Sequence, residues 1–199
     1  MKTYLSANEF IDCEHPDIRE QARLLSKGYV SDTDITLRCF EFVRDEINHT
    51  GDVGHGAITC LASDVLREGT GYCYAKSHLL VALLRANQIP AGLCYQRLTI
   101  EGDEPPFCLH GLTAVYLSAF GWFRIDPRGN KDGVNAQFQP PEEKLAFPIV
   151  IEGEADLPEI WAEPLPIVTS ALKAGSDVDY VATHLPDIQL LCPSHLIYG

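Results

Sequence analysis

Residues 71–90 (GYCYAKSHLLVALLRANQIP) constrain this chain more than any other stretch. Ala75, Leu79, Ala82, Leu83 and Ala86 recur at helical spacing, and Leu80, Val81 and Leu84 spread the apolar surface almost all round. A helix of this kind has no face to give to water, so it belongs in the middle of a fold with other elements on every side. Pro90 and Gly92 end it.

The flanking sequence supplies the covering elements. Residues 4–11 read as a short strand or extended arm. Pro16 opens a helix that runs to about Lys27 and stops at Gly28. Ser31 to Asp34 cap a second helix over about 33–48, with Ile35, Cys39, Phe42, Val43 and Ile47 on one face. Residues 49–60, with three glycines, read as a loop, and 62–68 as a short helix capped by Ser63 and ended by Gly69. After the central helix come three strands, 91–100, 107–117 and 121–126, then a loop over 127–141. Residues 146–151 suggest an edge strand, since Pro148 argues against a central one. Beyond Gly153 only 166–174 has a helical pattern.

Charge and cysteine usage narrow the setting. Twenty-eight acidic residues against fifteen Lys and Arg give −13, a surface that repels phosphate backbones and anionic lipid. No nucleic-acid or membrane partner is therefore expected. Residues 140–199 hold ten of the acids against Lys144 and Lys173, and eight of the thirteen prolines. This shift divides the chain into a domain over 1–151 and an acidic, Pro-containing extension over 152–199, packed on the same domain. The seven cysteines are odd in number and none has CxxC spacing. The N-terminus lacks a basic stretch followed by an apolar run, and no apolar stretch nears the ~20 residues of a membrane span. The expectation is a reducing cytoplasm, free thiols, no metal and no cofactor.

Three residues carry a possible chemistry. Cys73 stands where the all-apolar helix begins, and the free N–H groups of a helix N-terminus favour a thiolate. A nucleophilic thiolate needs a base and a group that orients it. His110 falls in the second strand, and Asp126 ends the third, one short turn away. Antiparallel neighbours joined in this way bring a His and an Asp side by side. Taken singly, each has a plainer reading: a buried structural cysteine, a satisfied core histidine, a turn aspartate before Pro127.

Three blocks in this order resemble the transglutaminase-like superfamily of cysteine enzymes, especially its bacterial and archaeal members. Gly71-Tyr72-Cys73 leads into LLRANQIPAG, similar to the family's G-x-C helix and the stretch that follows it, with Gln88 where many relatives have Gly. His110-Gly111-Leu112 and the strand after it resemble a block that often reads His-Ala-Trp. Trp122 to Pro127 (WFRIDP) resembles the W---DPT block, with Arg128-Gly129-Asn130 in place of the usual Thr. The resemblance spans about 71–130, and the helices over 16–48 look like the family's N-terminal part. It implies an α+β, papain-like core in which a Cys-bearing helix packs on an antiparallel sheet carrying His and Asp. It makes 1–151 a catalytic domain, with Cys73 as nucleophile, His110 as base and acid, and Asp126 as the residue that orients it.

The implied function is cysteine-dependent acyl-enzyme chemistry on a carboxamide or peptide bond of a peptide, protein or small amide substrate. Hydrolysis is favoured over transamidation, because water is the default acceptor. Two alternatives stand beside it: a non-catalytic peptide- or partner-binding module of the same fold, and an arylamine-type acyltransferase. His55 and Gln96 are possible side-chain donors to an oxyanion. His78 and Arg85 read as groups that satisfy buried polar partners, Cys94 and Cys108 as inert core thiols, and Arg128 as a turn cation able to face a substrate carboxylate.

Overall fold

The structure, a computed structural model, describes residues 1–190. Residues 4–11 form neither strand nor extended arm. Lys2–Leu5 is a single 3₁₀ turn, and the Asn8 side chain then accepts the N–H groups of Phe10 and Ile11, which bends the chain so that Ile11 enters the core. Helix α1 (Pro16–Ser26) follows, then α2 (Asp32–Glu41), where Ser31 Oγ accepts the Asp34 N–H. The second expected helix stops short of residue 48: it widens into one π turn, Phe42–Glu46, and gives way to β1 (Asn48–His49). The expected loop contains α3 (Thr50–Val53), and α4 (Ala62–Glu68) comes next. Ser63 does not cap α4. Its own N–H is taken by the distant carboxylate of Asp12, and Gly69, at φ +64°, ends the helix.

A two-residue strand, β2 (Thr70–Gly71), pairs in parallel with β1 and delivers the chain to α5 (Cys73–Ala86). Every residue of α5 from Cys73 to Arg85 is buried. The helix ends in a Schellman turn, with Ile89 N–H on Leu84 O and Gln88 N–H on Arg85 O. That turn needs a left-handed residue, and Gln88 fills the place at φ +61°.

Strands β3 (Ala91–Thr99), β4 (Phe107–Leu117) and β5 (Gly121–Ile125) form an antiparallel meander against α5. The expected edge strand over 146–151 is absent. The N–H groups of Val150 and Ile151 are taken by Glu154 Oε2, which curls this stretch into a turn. A small hairpin precedes it, β6 (Gln137–Gln139) with β7 (Glu142–Lys144). The fourth strand of the main sheet is β8 (Ala155–Asp156), giving the order β5-β4-β3-β8. Helix α6 (Pro166–Ala174) falls where its pattern placed it, and α7 (Val178–Thr183), capped by Asp177, follows without an apolar repeat to announce it.

The sheet register positions the site. β5 pairs only with residues 113–117 of β4, so residues 107–112 of β4 run past it. Leu109, Val115 and Leu117 of β4 join the main core with α5, while Leu112 and Ala114 join a smaller cluster with Cys94.

Gln88→Gly relieves the left-handed strain and should raise stability by about 1 kcal/mol. A urea unfolding midpoint that rises at constant slope is the expected result; an unchanged or lower midpoint would show that no strain is stored there.

Candidate active site

Cys73 is the first residue of α5, directly after Tyr72, whose hydroxyl donates to Val178 O (3.0 Å). Two glycines let other chain segments close on this helix end. A Cβ on Gly71 would lie 3.1 Å from Ala75 Cβ, and one on Gly111 would lie 2.8 Å from Tyr74 Cδ1 and 3.0 Å from Tyr74 Cα. The Gly111 N–H therefore reaches Cys73 Sγ at 3.4 Å. Tyr74 fixes the same approach by donating its hydroxyl to Leu109 O.

His110 precedes Gly111 on β4, and Asp126 follows the last residue of β5. The overhang of β4 past β5 places their side chains together, with His110 Nε2 2.8 Å from Asp126 Oδ2. Asp126 is fully buried and accepts two further bonds, from Ala146 N–H (3.0 Å) and Arg128 N–H (3.1 Å). Burial alone would raise its pKa, but the His110 charge and these three donors win, and the carboxyl is held below its ordinary range. Burial alone would likewise lower the pKa of His110. The charges of Asp126 and Cys73, with the hydrogen bond to Asp126, raise it instead to about 10. The structure thus joins His110 and Asp126 by a hydrogen bond and places Cys73 and His110 on the same cleft.

Behind His110 stands Phe147, edge-on at 5.1 Å between centroids. Gln96 Nε2 holds that loop through Phe147 O (3.3 Å) and also meets Asp156 Oδ1 (3.0 Å). Gln96 is therefore a support for the His110 side, and its amide is not free to meet an oxyanion. His55 is exposed and does not line the cleft. His49 does, and sequence reasoning passed over it: a two-residue strand leaves no periodic signal, and only the β1–β2 pairing sets His49 opposite Gly71. Its Nδ1 is buried with no hydrogen bond, 3.8 Å from Asp52 Oδ1, and burial, followed by the Arg128 cation, pushes its pKa down to about 3, so the ring is neutral.

Arg128 is engaged. Its guanidinium forms a two-pronged pair with Asp52 (2.5 and 2.8 Å), which also takes Lys131 (2.6 Å). This clamp fastens the chain after Asp126 to α3, next to His49. His78 meets Cys60 O, and Arg85 meets Ser6 O, Ala91 O and Ala162 O, as buried groups satisfying buried carbonyls. Burial pushes the thiols of Cys39, Cys94 and Cys108 up to about 12 and that of Cys60 to about 11. Cys108 is not a core residue: it is half-buried and lines the cleft beside Cys73. The cleft has a volume of about 420 Å³. Among the described residues, no group of three or more His, Cys, Asp or Glu is placed to hold a metal, and no helix is long and apolar enough to cross a membrane.

A family model described as the transglutaminase-like superfamily matches residues 19–127, more than half of the chain. No curated protein matches the sequence. Among solved structures, a Cytophaga hutchinsonii protein provisionally described as a cysteine protease is 20% identical, with a TM-score of 0.49, over 63% of this chain and 40% of that one. The periplasmic domain of TgpA from Pseudomonas aeruginosa is 18% identical, with a TM-score of 0.47, over 62% of this chain and 45% of that one. The chain thus spans less than half the length of either.

Two buried bases leave opposite marks on stability. The pKa of His110 rises from 6.5 to about 10, so between those values the folded protein holds a proton that the unfolded chain has lost, and this contribution falls as pH rises. Burial, followed by the Arg128 cation, lowers Lys76 from 10.5 to about 7. Over that span the unfolded chain holds the proton and the folded one does not, so this contribution grows with pH. Unfolding free energy measured from pH 7 to 10 should fall in Lys76→Met and climb in His110→Ala. Parallel slopes in the two variants would refute the assignment.

Proposed function

We propose that this chain, which belongs to the transglutaminase-like superfamily, is a cysteine-dependent acyl-transfer enzyme in which Cys73 attacks the carbonyl of a carboxamide or peptide bond. The observation that carries this reading is the buried His110–Asp126 pair on the same cleft as Cys73, the first residue of α5. Asp126 holds one ring nitrogen of His110 and stabilises the imidazolium, which leaves the ring protonated beside the sulfur. The thiolate adds to the carbonyl carbon, and a tetrahedral oxyanion forms. His110 then gives its proton to the leaving amine, the C–N bond breaks, and a thioester remains on Cys73. Water attacks the thioester with His110 as base, which releases the acid and restores the thiol. Water is favoured over an amine as the acceptor. Free thiols at the six described cysteines fit a reducing, cytoplasmic setting for this chemistry.

The oxyanion needs donors aimed at it. The backbone N–H groups at the start of α5 are one source, and neutral His49, which lines the cleft against Tyr72, is the side chain suited to be another.

At neutral pH, iodoacetamide should alkylate Cys73 at least ten times faster than any other described cysteine, and His110→Ala should remove the difference. Intact-mass and peptide mapping read this directly. Uniform labelling of all these thiols would favour a non-catalytic binding module. His49→Ala should slow amide or ester turnover by about 10²-fold, the size expected for a lost oxyanion donor. Alkylation develops no oxyanion and should change less than twofold; equal losses in both assays would make His49 structural.

A further inference from the structure

We infer that the cleft selects an uncharged, apolar acyl group, an aliphatic or aromatic chain longer than acetyl, on the carbonyl side of the scissile bond. The inference rests on Cys73 being the nucleophile.

Four observations carry it. First, beyond the reacting groups the walls are made by Leu98, Ile100, Leu109, Phe147, Val150 and Ile151. Second, two of the charged side chains in those walls, Glu154 and Arg128, are already matched from within. Glu154 Oε1 accepts the N–H and hydroxyl of Thr99, and its Oε2 accepts the N–H groups of Val150 and Ile151. Arg128 is held by Asp52 on both of its terminal nitrogens. Neither is left to pair with a charge on a substrate, and burying an unpaired substrate charge there would be costly. Third, the turn at the rim carries Glu101, Asp103 and Glu104, all exposed, and Asp103 reaches the cleft wall. An anionic acyl group meets repulsion on entry. Fourth, the chain itself places an apolar side chain in this space: Leu185 lines the cleft, anchored by Pro186 O on Leu109 N–H (2.7 Å) and by Asp187 on Arg97 (2.7 Å). The Glu154 bonds also hold the Val150–Ile151 wall in place before any ligand arrives, so little ordering is left to oppose binding.

The test uses 4-nitrophenyl esters of acetate, hexanoate, 3-phenylpropanoate and hydrogen glutarate. In each, the Cys73 thiolate forms a bond to the acyl carbon, and the ester C–O bond breaks to release 4-nitrophenolate. Rates of nitrophenolate release are divided by the rate of the same ester with a simple thiol, and intact mass locates the acyl group. Hexanoate and phenylpropanoate should acylate Cys73 at least tenfold faster than acetate, and hydrogen glutarate more slowly than acetate. Ile100→Asp should cut the hexanoate advantage to less than threefold. Equal normalised rates, or a preference for acetate or glutarate, overturn the inference while leaving Cys73 as the nucleophile. Failure of every ester, together with unselective iodoacetamide labelling, overturns the nucleophile itself and this inference with it.

Discussion

A helix buried on all sides brings its polar residues inside as well, and their satisfaction governs how the rest of the chain is arranged. Arg85 is the clearest instance. It is almost wholly buried, and its guanidinium binds carbonyls of Ser6, Ala91 and Ala162. One cation thereby joins the N-terminal segment, the start of the sheet and the C-terminal third of the chain. Lys76, one turn from Cys73, does the same at the other end of the helix, through Arg44 O and Ile47 O. Leaving the Arg85 cation without its carbonyl oxygens would cost several kcal/mol. The sequence distant from α5 is therefore held by the demands of α5.

How much could be read in advance follows from the range of each interaction. The helix over 73–86 and the long strands β3 and β4 were legible, because periodicity and local caps specify them. The elements misread are those set by a single side chain or pairing that leaves no periodic pattern. Asp12 takes the place of Ser63 at the start of α4. Glu154 takes the N–H groups that would have made residues 150 and 151 a strand. His49 escaped for the same reason, since its position comes from pairing with Gly71 across an intervening helix and loop. Gln96 was noticed as a polar residue near the site, but its partners, Phe147 O and Asp156, lie more than fifty residues away.

The opposed shifts of His110 and Lys76 share a cause. Both groups sit in a dry interior: at His110 the partner charges overcome burial, and at Lys76 burial prevails. For His110 those are Asp126 and Cys73; for Lys76, after burial, the leading one is Arg128. The acidic surface of the chain takes little part. Its acids are screened by water, while the cleft answers to a handful of buried groups.

The contact between Leu109 and Pro186 has a further consequence for access. The Leu109 N–H lies on the part of β4 that overhangs β5, one residue from His110, and is the kind of edge donor an extended polypeptide would use to align itself. Here the chain's own backbone already occupies it. A long peptide must unseat residues 185–187 before it can lie along that edge, whereas a short acyl donor entering from the open side meets no such competitor. The chain's own backbone thus closes this stretch of the β4 edge.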